Sequence, residues 1–503
     1  MKNKITPFCW YIFYILTILS SLSAQATDYY IACSGNSASG NGTSTSPWTT
    51  LSQANKVKLK AGDHMLFVSG HTCKGSFQPT GGGSEKSPVI IGKTGKGTTP
   101  IIDGNGESNA ILLVNMSNLT LQDLEIINAA KAGSKRNGVH VRLTDFGKSE
   151  NITLQNLTIH HIRGGDYKNI DGSAGIQVGI EGQKIASYYD NLKILNNHIE
   201  DVDRSGIYFK SLWDKRSHSV TTQKWTPSTR VVIRGNTVKS IAGDGIKVDT
   251  TLGALIEYNT LAGFQLRSHY NNAGIWTFDT QDTIVQFNDV SGGGSSGDGM
   301  AFDADAGSMN TLFQYNYSHH NKGGFVMLCP YTGVYSDGTI VRYNISYNDK
   351  TRVFQMCHGN THKNKIYNNS IYYNGTDKVK FLQGQMPTNS DLEWSNNIIY
   401  NTGPVMELDI QKQKPNLNFY NNDFVGVGKL PNNTDGRQHP NGLSVDPAFI
   451  SVSEQNINGF KLSSKTPLKG KGKIIQNNGG RDYFNHPVST DKAPTIGADE
   501  EKH

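Results

Sequence analysis

Charge is scarce in this 503-residue chain: only 18% of residues are charged, and 48 Lys and Arg against 42 Asp and Glu leave a net charge of +6 with no basic block. A mildly basic surface helps an acidic polymer approach, but it lacks the concentrated footprint of a nucleic-acid binder. Cysteine is rarer still, with five residues, of which Cys33, Cys73, Cys329 and Cys357 lie beyond the first 26 positions. Four is too few for a disulfide scaffold; two bonds, Cys33 with Cys73 and Cys329 with Cys357, and four buried thiols both fit. Long apolar runs are missing after the start. Lys2 and Lys4, an apolar run from Phe8 to Leu22, then Ala24-Gln25-Ala26 follow the order of a cleaved export signal over 1–26. The run is short for a membrane span, and Cys9 stands at its start and not at the cleavage point, so neither membrane insertion nor a lipid anchor is expected. A secreted or periplasmic protein beginning near Thr27, a monomer without nucleic-acid partners, is the expectation. The chain also lacks a nucleotide-binding glycine motif, Cys/His zinc spacing and a nucleophile elbow, so cofactors from those classes are not expected.

Glycine is plentiful, at 54 residues, which suits many short strands joined by turns. The strands announce themselves as a repeat: "VIRGNTV", "LIEYNTL", "IVQFNDV", "LFQYNYS", "IVRYNIS", "KIYNNSI" and "WSNNIIY" share an Asn followed closely by apolar residues. From Asn236 through Asn259, Asn288, Asn316, Asn344, Asn369 and Asn397 to Asn422 the steps are 23, 29, 28, 28, 25, 28 and 25, a solenoid period. Asn197 precedes the series, and Leu124 and Leu157 take the Asn slot in earlier turns. Each phrase is rich in β-formers and too short for a helix, and stacking the turns creates the core. An Asn recurring at one place in each turn can bond to the next along the stack, which makes these residues structural.

A second phrase alternates with the first: "NGVHVRL", "AGIQVGI", "SGIYFKS", "DGIKVDT", "AGIWTFDT", "DGMAFDA", "GGFVMLC", "RVFQMCH". Stacked, it gives an outward column of Arg142, Gly179, Lys210, Asp249, Asp279, Asp303, Cys329 and Cys357, if a bulge accommodates the extra residue before Asp279. Two residues earlier runs a column of His140, Gln177, Tyr208, Lys247, Thr277, Ala301, Met327 and Gln355. Trp276 is expected in the core, and Asp244 and Asp298, in Asp-Gly pairs, as turn residues.

The Asn ladder, the coil length and two strand phrases per coil resemble the right-handed parallel β-helix of pectate lyases, polygalacturonases, chondroitinase B and related exported polysaccharide-degrading enzymes. The opening "TDYYIACSGNSASGNGTSTSPWTTLSQANKVKLKAGDHMLFVSG" is similar to their cap region, and "VDPAFI", "GFKLSSKTPLKGKGK" and "PTIGADE" to their closing segment. The fold expected is all-β: cap and first coils over 27–100, a parallel β-helix over 101–425 and a closing coil and tail over 426–503.

Asp249, Asp279, Asp303 and Asp305 then share one wall. Coils stack ~4.8 Å apart and alternate residues on a strand lie roughly 6.5 to 7 Å apart, so their charges repel and at least one pKa rises. A glycoside hydrolase acting on a plant or algal polysaccharide uses such a pair, one carboxyl as acid and the other as base or nucleophile. Asp303, Asp305 and Asp279 are the leading candidates, followed by Asp249. A polysaccharide lyase acting on a uronic-acid glycan is the alternative: Asp249, Asp279, Asp303 and Asp305 would hold Ca²⁺, with Lys247 or Lys210 as the base. A noncatalytic carbohydrate-binding or adhesin-like β-helix is the third reading. Tyr208, Tyr331, Trp213 and Trp225 offer flat faces to sugar rings, and Arg142, His140, Lys210 and His358 offer charge or protons. Long insertions, "IRGGDYKNIDGS", "SLWDKRSHSVTTQKWTPST" and "GFQLRSHYNN", are expected to wall the site.

Overall fold

The structure, a computed structural model, describes residues 26–500 except 35–37, 130–134, 169–171, 215–223, 332, 386, 388–389 and 411–414. The expected export signal therefore lies outside the described residues, apart from its last position.

Three long sheets wind along one axis, and every strand pairing in them is parallel. The ladder sheet runs from Asp28–Ile31 to Asn416–Tyr420, a second sheet from Thr72–Lys74 to Asp423–Val425, and the third, here the acid sheet, from Asn109–Val114 to Glu407–Ile410. From residue 89 to residue 410 each coil gives one strand to each sheet, so neighbours in a sheet are residues one turn apart in sequence. The chain is a parallel β-helix, as the repeat requires. Val, Ile, Leu and Phe side chains fill the interior, with Phe302, Phe325 and Phe354 packed edge to face in succession. Beyond residue 425 only a short 3₁₀ turn, Ile457–Phe460, interrupts an irregular segment that packs along the outside through Phe460, Leu462, Leu468 and Ile496.

The asparagines form the expected ladder. From Asn197 to Asn422 each is buried, and as far as Asn397 the main-chain N–H and Nδ2 of each both donate to Oδ1 of the next, as those of Asn288 do to Asn316 at 3.0 Å; those of Asn422 meet His439 Nε2. The remaining Nδ2 hydrogen goes to a main-chain carbonyl of the preceding coil, so the buried amides are satisfied. Leu157 takes the slot one turn earlier, its N–H donating to Asn197 Oδ1 at 3.0 Å. The residue before each ladder Asn sits in the left-handed region, for example Asn196 at φ 54° and Phe287 at φ 54°. That conformation turns the chain from one sheet into the next, and Asn adopts it with the least strain among residues that have a Cβ.

Both cysteine pairs are bonded, Cys33 to Cys73 in the cap and Cys329 to Cys357 across adjacent coils of the acid sheet. Among the described residues no helix is long and apolar enough to cross a membrane.

Candidate active site

Register on the acid sheet decides which side chains meet. Tyr208 pairs with Lys247, Lys247 with Trp276, Trp276 with Asp303, Asp303 with Met327 and Met327 with Gln355. The neighbouring outward column runs Arg142, Gly179, Lys210, Asp249, Phe278, Asp305 and Cys329. Asp303 and Asp305 thus face outward as expected, but in different columns from those drawn above. Phe302, not Met300, aligns with Ile275, so two extra residues precede the matched part of that strand. A slip of two preserves which face a side chain occupies.

Asp279 is a correction. Its strand, Ile275–Phe278, pairs without a bulge, Thr277 and Ala304 face the interior, and Asp279 falls beyond the strand end at φ 52°. Its carboxylate accepts from Trp225 Nε1 at 2.7 Å, so it anchors a loop and does not join the wall. Trp276 is a second correction: it points outward, beneath Lys168 Nζ at 4.7 Å and Lys247 Nζ at 4.9 Å.

Asp249 is fully buried and fully paired. Lys247 Nζ lies 2.7 Å from Oδ2, Lys210 Nζ 3.4 Å from the same atom, and Thr250 Oγ1 donates to Oδ1 at 2.6 Å. Burial alone would raise this carboxyl; the two ammonium groups outweigh it and hold it below the ordinary carboxylate value. Lys210 is also bound to Asp214 at 3.0 Å, and against the pull of burial these acids push its ammonium up. Tyr208, under Lys247 at 4.7 Å, completes the closed group.

Two coils on, the balance reverses. Asp303 is 3% exposed, and its Oδ1 has no hydrogen-bond partner. Burial first, then Asp305 and Asp298, hold its carboxyl well above the usual range, against Lys168. Asp305 is also raised by burial, less completely, because Ala306 N–H donates to Oδ1 at 2.7 Å and Tyr331 Oη to Oδ2 at 3.2 Å, with Lys168 and Lys247 adding positive potential. The hydrogen bonds favour the ionised form, so Asp305 is the member of the group best fitted to carry the negative charge.

Asp298 belongs here too, although its Asp-Gly context reads as a turn. It is 8% exposed and its carboxyl is pushed up to about 7, by burial and then by Asp244 and Asp305, against Lys168 and Arg352. Arg352 secures its loop by donating to the carbonyls of Ser296 at 2.9 Å and Gly297 at 3.0 Å. Asp244, its counterpart two coils earlier, is neutralised by Arg204 at 3.0 Å and Lys168 at 3.7 Å. No pattern in the chain singles out Lys168, which arrives on one of the long insertions. Two of those insertions meet, Ser268 Oγ and His269 N–H binding Asp166 at 2.7 and 2.8 Å, while residues 215–223 of the third lie outside the described residues.

The remaining candidates divide. Tyr331 reaches Asp305, and His358 stacks on Tyr331 with ring centroids 6.2 Å apart. Beside them opens a cleft of about 230 Å³ lined by Arg352, Gln355, His358, Gln383 and Asp409 on the next coils. His140 and Arg142 are not brought to the acids. Five coil steps separate His140 from Asp303, about 24 Å at the usual strand spacing. His140 is buried with no partner on either ring nitrogen, and burial, with smaller effects from Lys135 and Arg142, pulls it down to about 3.

A family model described as "Right handed beta helix region" matches residues 101–263. A lacto-N-biosidase of Bifidobacterium longum subsp. longum is 26% identical over 511 residues, covering 82% of this chain and 31% of that protein. The chain therefore spans about a third of the length of that curated relative. The crystal structure of a GH136 lacto-N-biosidase from Eubacterium ramulus superposes with a TM-score of 0.60 at 24% identity, over 72% of this chain and 65% of that one. XylC in complex with xylose matches over 94% of this chain and 98% of its own, with a TM-score of 0.53 at 11% identity. In fold, this chain is a right-handed parallel β-helix of the kind found in these carbohydrate-active proteins.

Proposed function

We propose that this chain is a glycoside hydrolase, exported, whose reaction centre is the group Asp298, Asp303 and Asp305. The observation that carries the reading is the unequal treatment of neighbouring buried carboxylates: burial and the adjacent acids push the Asp298 and Asp303 carboxyls up toward the protonated form, while Asp305 accepts two hydrogen bonds that favour its anion. A glycosidase needs this division, an acid to protonate the leaving oxygen and a carboxylate to activate water or attack the sugar. In this reading the proton donor comes from the Asp298–Asp303 pair and Asp305 is the ionised partner. The lacto-N-biosidase relative supports hydrolysis and suggests the first substrate to try. The substrate is an oligosaccharide lying in the cleft toward Gln355 and Gln383, because Lys247, Trp276 and Tyr208 close the other side. Export is supported by the two disulfides, which suit an oxidising compartment.

The lyase alternative asks for a free lysine as base, and Lys247 and Lys210 are both held by Asp249. The test is incubation with p-nitrophenyl lacto-N-bioside and with a panel of neutral and acidic glycans, with and without chelator. Reducing ends and nitrophenol without an unsaturated uronate product are expected. An unsaturated product that vanishes with chelator would replace this reading with calcium-assisted elimination, and no turnover on the panel would leave carbohydrate binding alone.

A further inference from the structure

On the second sheet, away from the acids, the strand Tyr317–His319 runs into a second histidine, and the Nδ1 atoms of His319 and His320 stand 3.2 Å apart. Glu454, from the C-terminal segment, places Oε1 3.6 Å from each of them. Three donor atoms thus form a nearly equilateral triangle. Tetrahedral Zn²⁺ with donors about 2.05 Å away sets neighbouring donors about 3.3 Å apart, so the triangle has the size of one face of that tetrahedron.

The protonation pattern fits as well. His319 Nε2 lies 3.1 Å from Asp289 Oδ1, and a carboxylate there fixes the ring hydrogen on Nε2 and leaves Nδ1 with its lone pair, as the outer partner of a zinc-bound histidine does. The rings are held in place: His319 stacks on Tyr317 at 4.6 Å between centroids, and His320 meets Tyr347 edge-on at 5.2 Å. Tyr317 Oη donates to the Glu454 carbonyl at 3.2 Å, which fixes the third donor's backbone. Without an ion, the two rings can share one N–H···N bond, but Glu454 is too far from either nitrogen for a hydrogen bond.

The chain supplies its own control. His160 and His161 repeat the arrangement on an earlier coil, with Glu125 on His160 Nε2 at 3.1 Å. There His161 Nε2 lies 3.6 Å from Asp201 instead, and among the described residues no third donor converges on the pair.

We propose that His319, His320 and Glu454 bind a zinc ion, with the fourth position open to water, and that the ion clamps the C-terminal segment to the coil. The ion supplies the link that joins residue 454 to residues 319–320, and its binding stabilises the folded chain. This rests on donor geometry alone and is independent of the acid sheet.

The test is calorimetric titration of the EDTA-stripped full chain with ZnCl₂, with CoCl₂ as a spectroscopic probe of tetrahedral coordination. One Zn²⁺ per chain and a zinc-dependent rise in melting temperature are expected. His320→Ala and Glu454→Gln, both at part-exposed positions, should lose uptake and the thermal rise. Asp289→Asn should weaken binding about 10- to 100-fold, and His161→Ala should change nothing. No stoichiometric uptake would overturn the proposal. Uptake unchanged in both His320→Ala and Glu454→Gln would also overturn it, and would point to Asp482, His486 and Asp499, which converge elsewhere on the C-terminal segment.

Discussion

Asp249 and Asp303 stand two coils apart on one sheet face, and both are almost inaccessible to solvent. Asp249 meets two ammonium groups and a hydroxyl; Asp303 meets two more acids and leaves an oxygen without a partner. Burying charge is tolerated where it is paired and hydrogen-bonded, so Asp249 reads as part of the scaffold. An unpaired group persists where something other than stability retains it, and that difference locates the reaction centre more sharply than the row of aspartates does.

Substitutions at these positions test the contrast between paired and unpaired acids. The largest effect should come from Asp305→Asn, which removes the only carboxylate of the group equipped to stay ionised: kcat should fall by about 10³, with the circular dichroism spectrum unchanged. Asp303→Asn should cut kcat similarly. Asp249→Asn leaves Lys247 and Lys210 facing a neutral amide, so unfolding by urea should show a loss of about 3 to 5 kcal/mol. Next is the pH profile. Asp298, pushed up to about 7, loses its proton as pH climbs through that value, so kcat should decline there, and Asp298→Asn should remove that limb along with most of the rate. The smallest effect belongs to Tyr331→Phe. Losing its hydrogen bond raises the Asp305 pKa, so the acidic limb of kcat/KM should move up by about one unit.

The signs of the stability effects follow from the same shifts. Asp249 is held below its unfolded value, so its contribution is present above that value and fades as pH falls through the folded pKa. Asp303 is held above its unfolded value, so its contribution is complete in acid and is lost as pH rises through the folded pKa. At neutral pH and above, the two residues act on folding in opposite directions.

The fold was legible because the Asn slot recurs with one physical job, and an amide that must pair with the next amide tolerates little else. The acid face was less so. Aligning phrases by their glycines places Asp303 beside the wrong neighbours, because Gly299 precedes the matched strand by two extra residues. Parity saved Asp303 and Asp305, whereas the extra residue before Asp279 carried it past the strand end into a loop. Asp298 and Lys168 escaped because one looks like a turn residue and the other comes from an insertion; only burial and proximity mark them. Glu454 lies more than a hundred residues beyond the adjacent pair His319 and His320, a spacing that no zinc pattern covers.

The most direct test is a paired thermal melt of Asp249→Asn and Asp303→Asn against the parent chain in one neutral buffer. Asp249→Asn should melt lower, and Asp303→Asn should melt at or above the parent temperature while losing activity. If Asp303→Asn melts as low as Asp249→Asn, the carboxylate at 303 is a structural group like its neighbour, and the assignment of the reaction centre is contradicted.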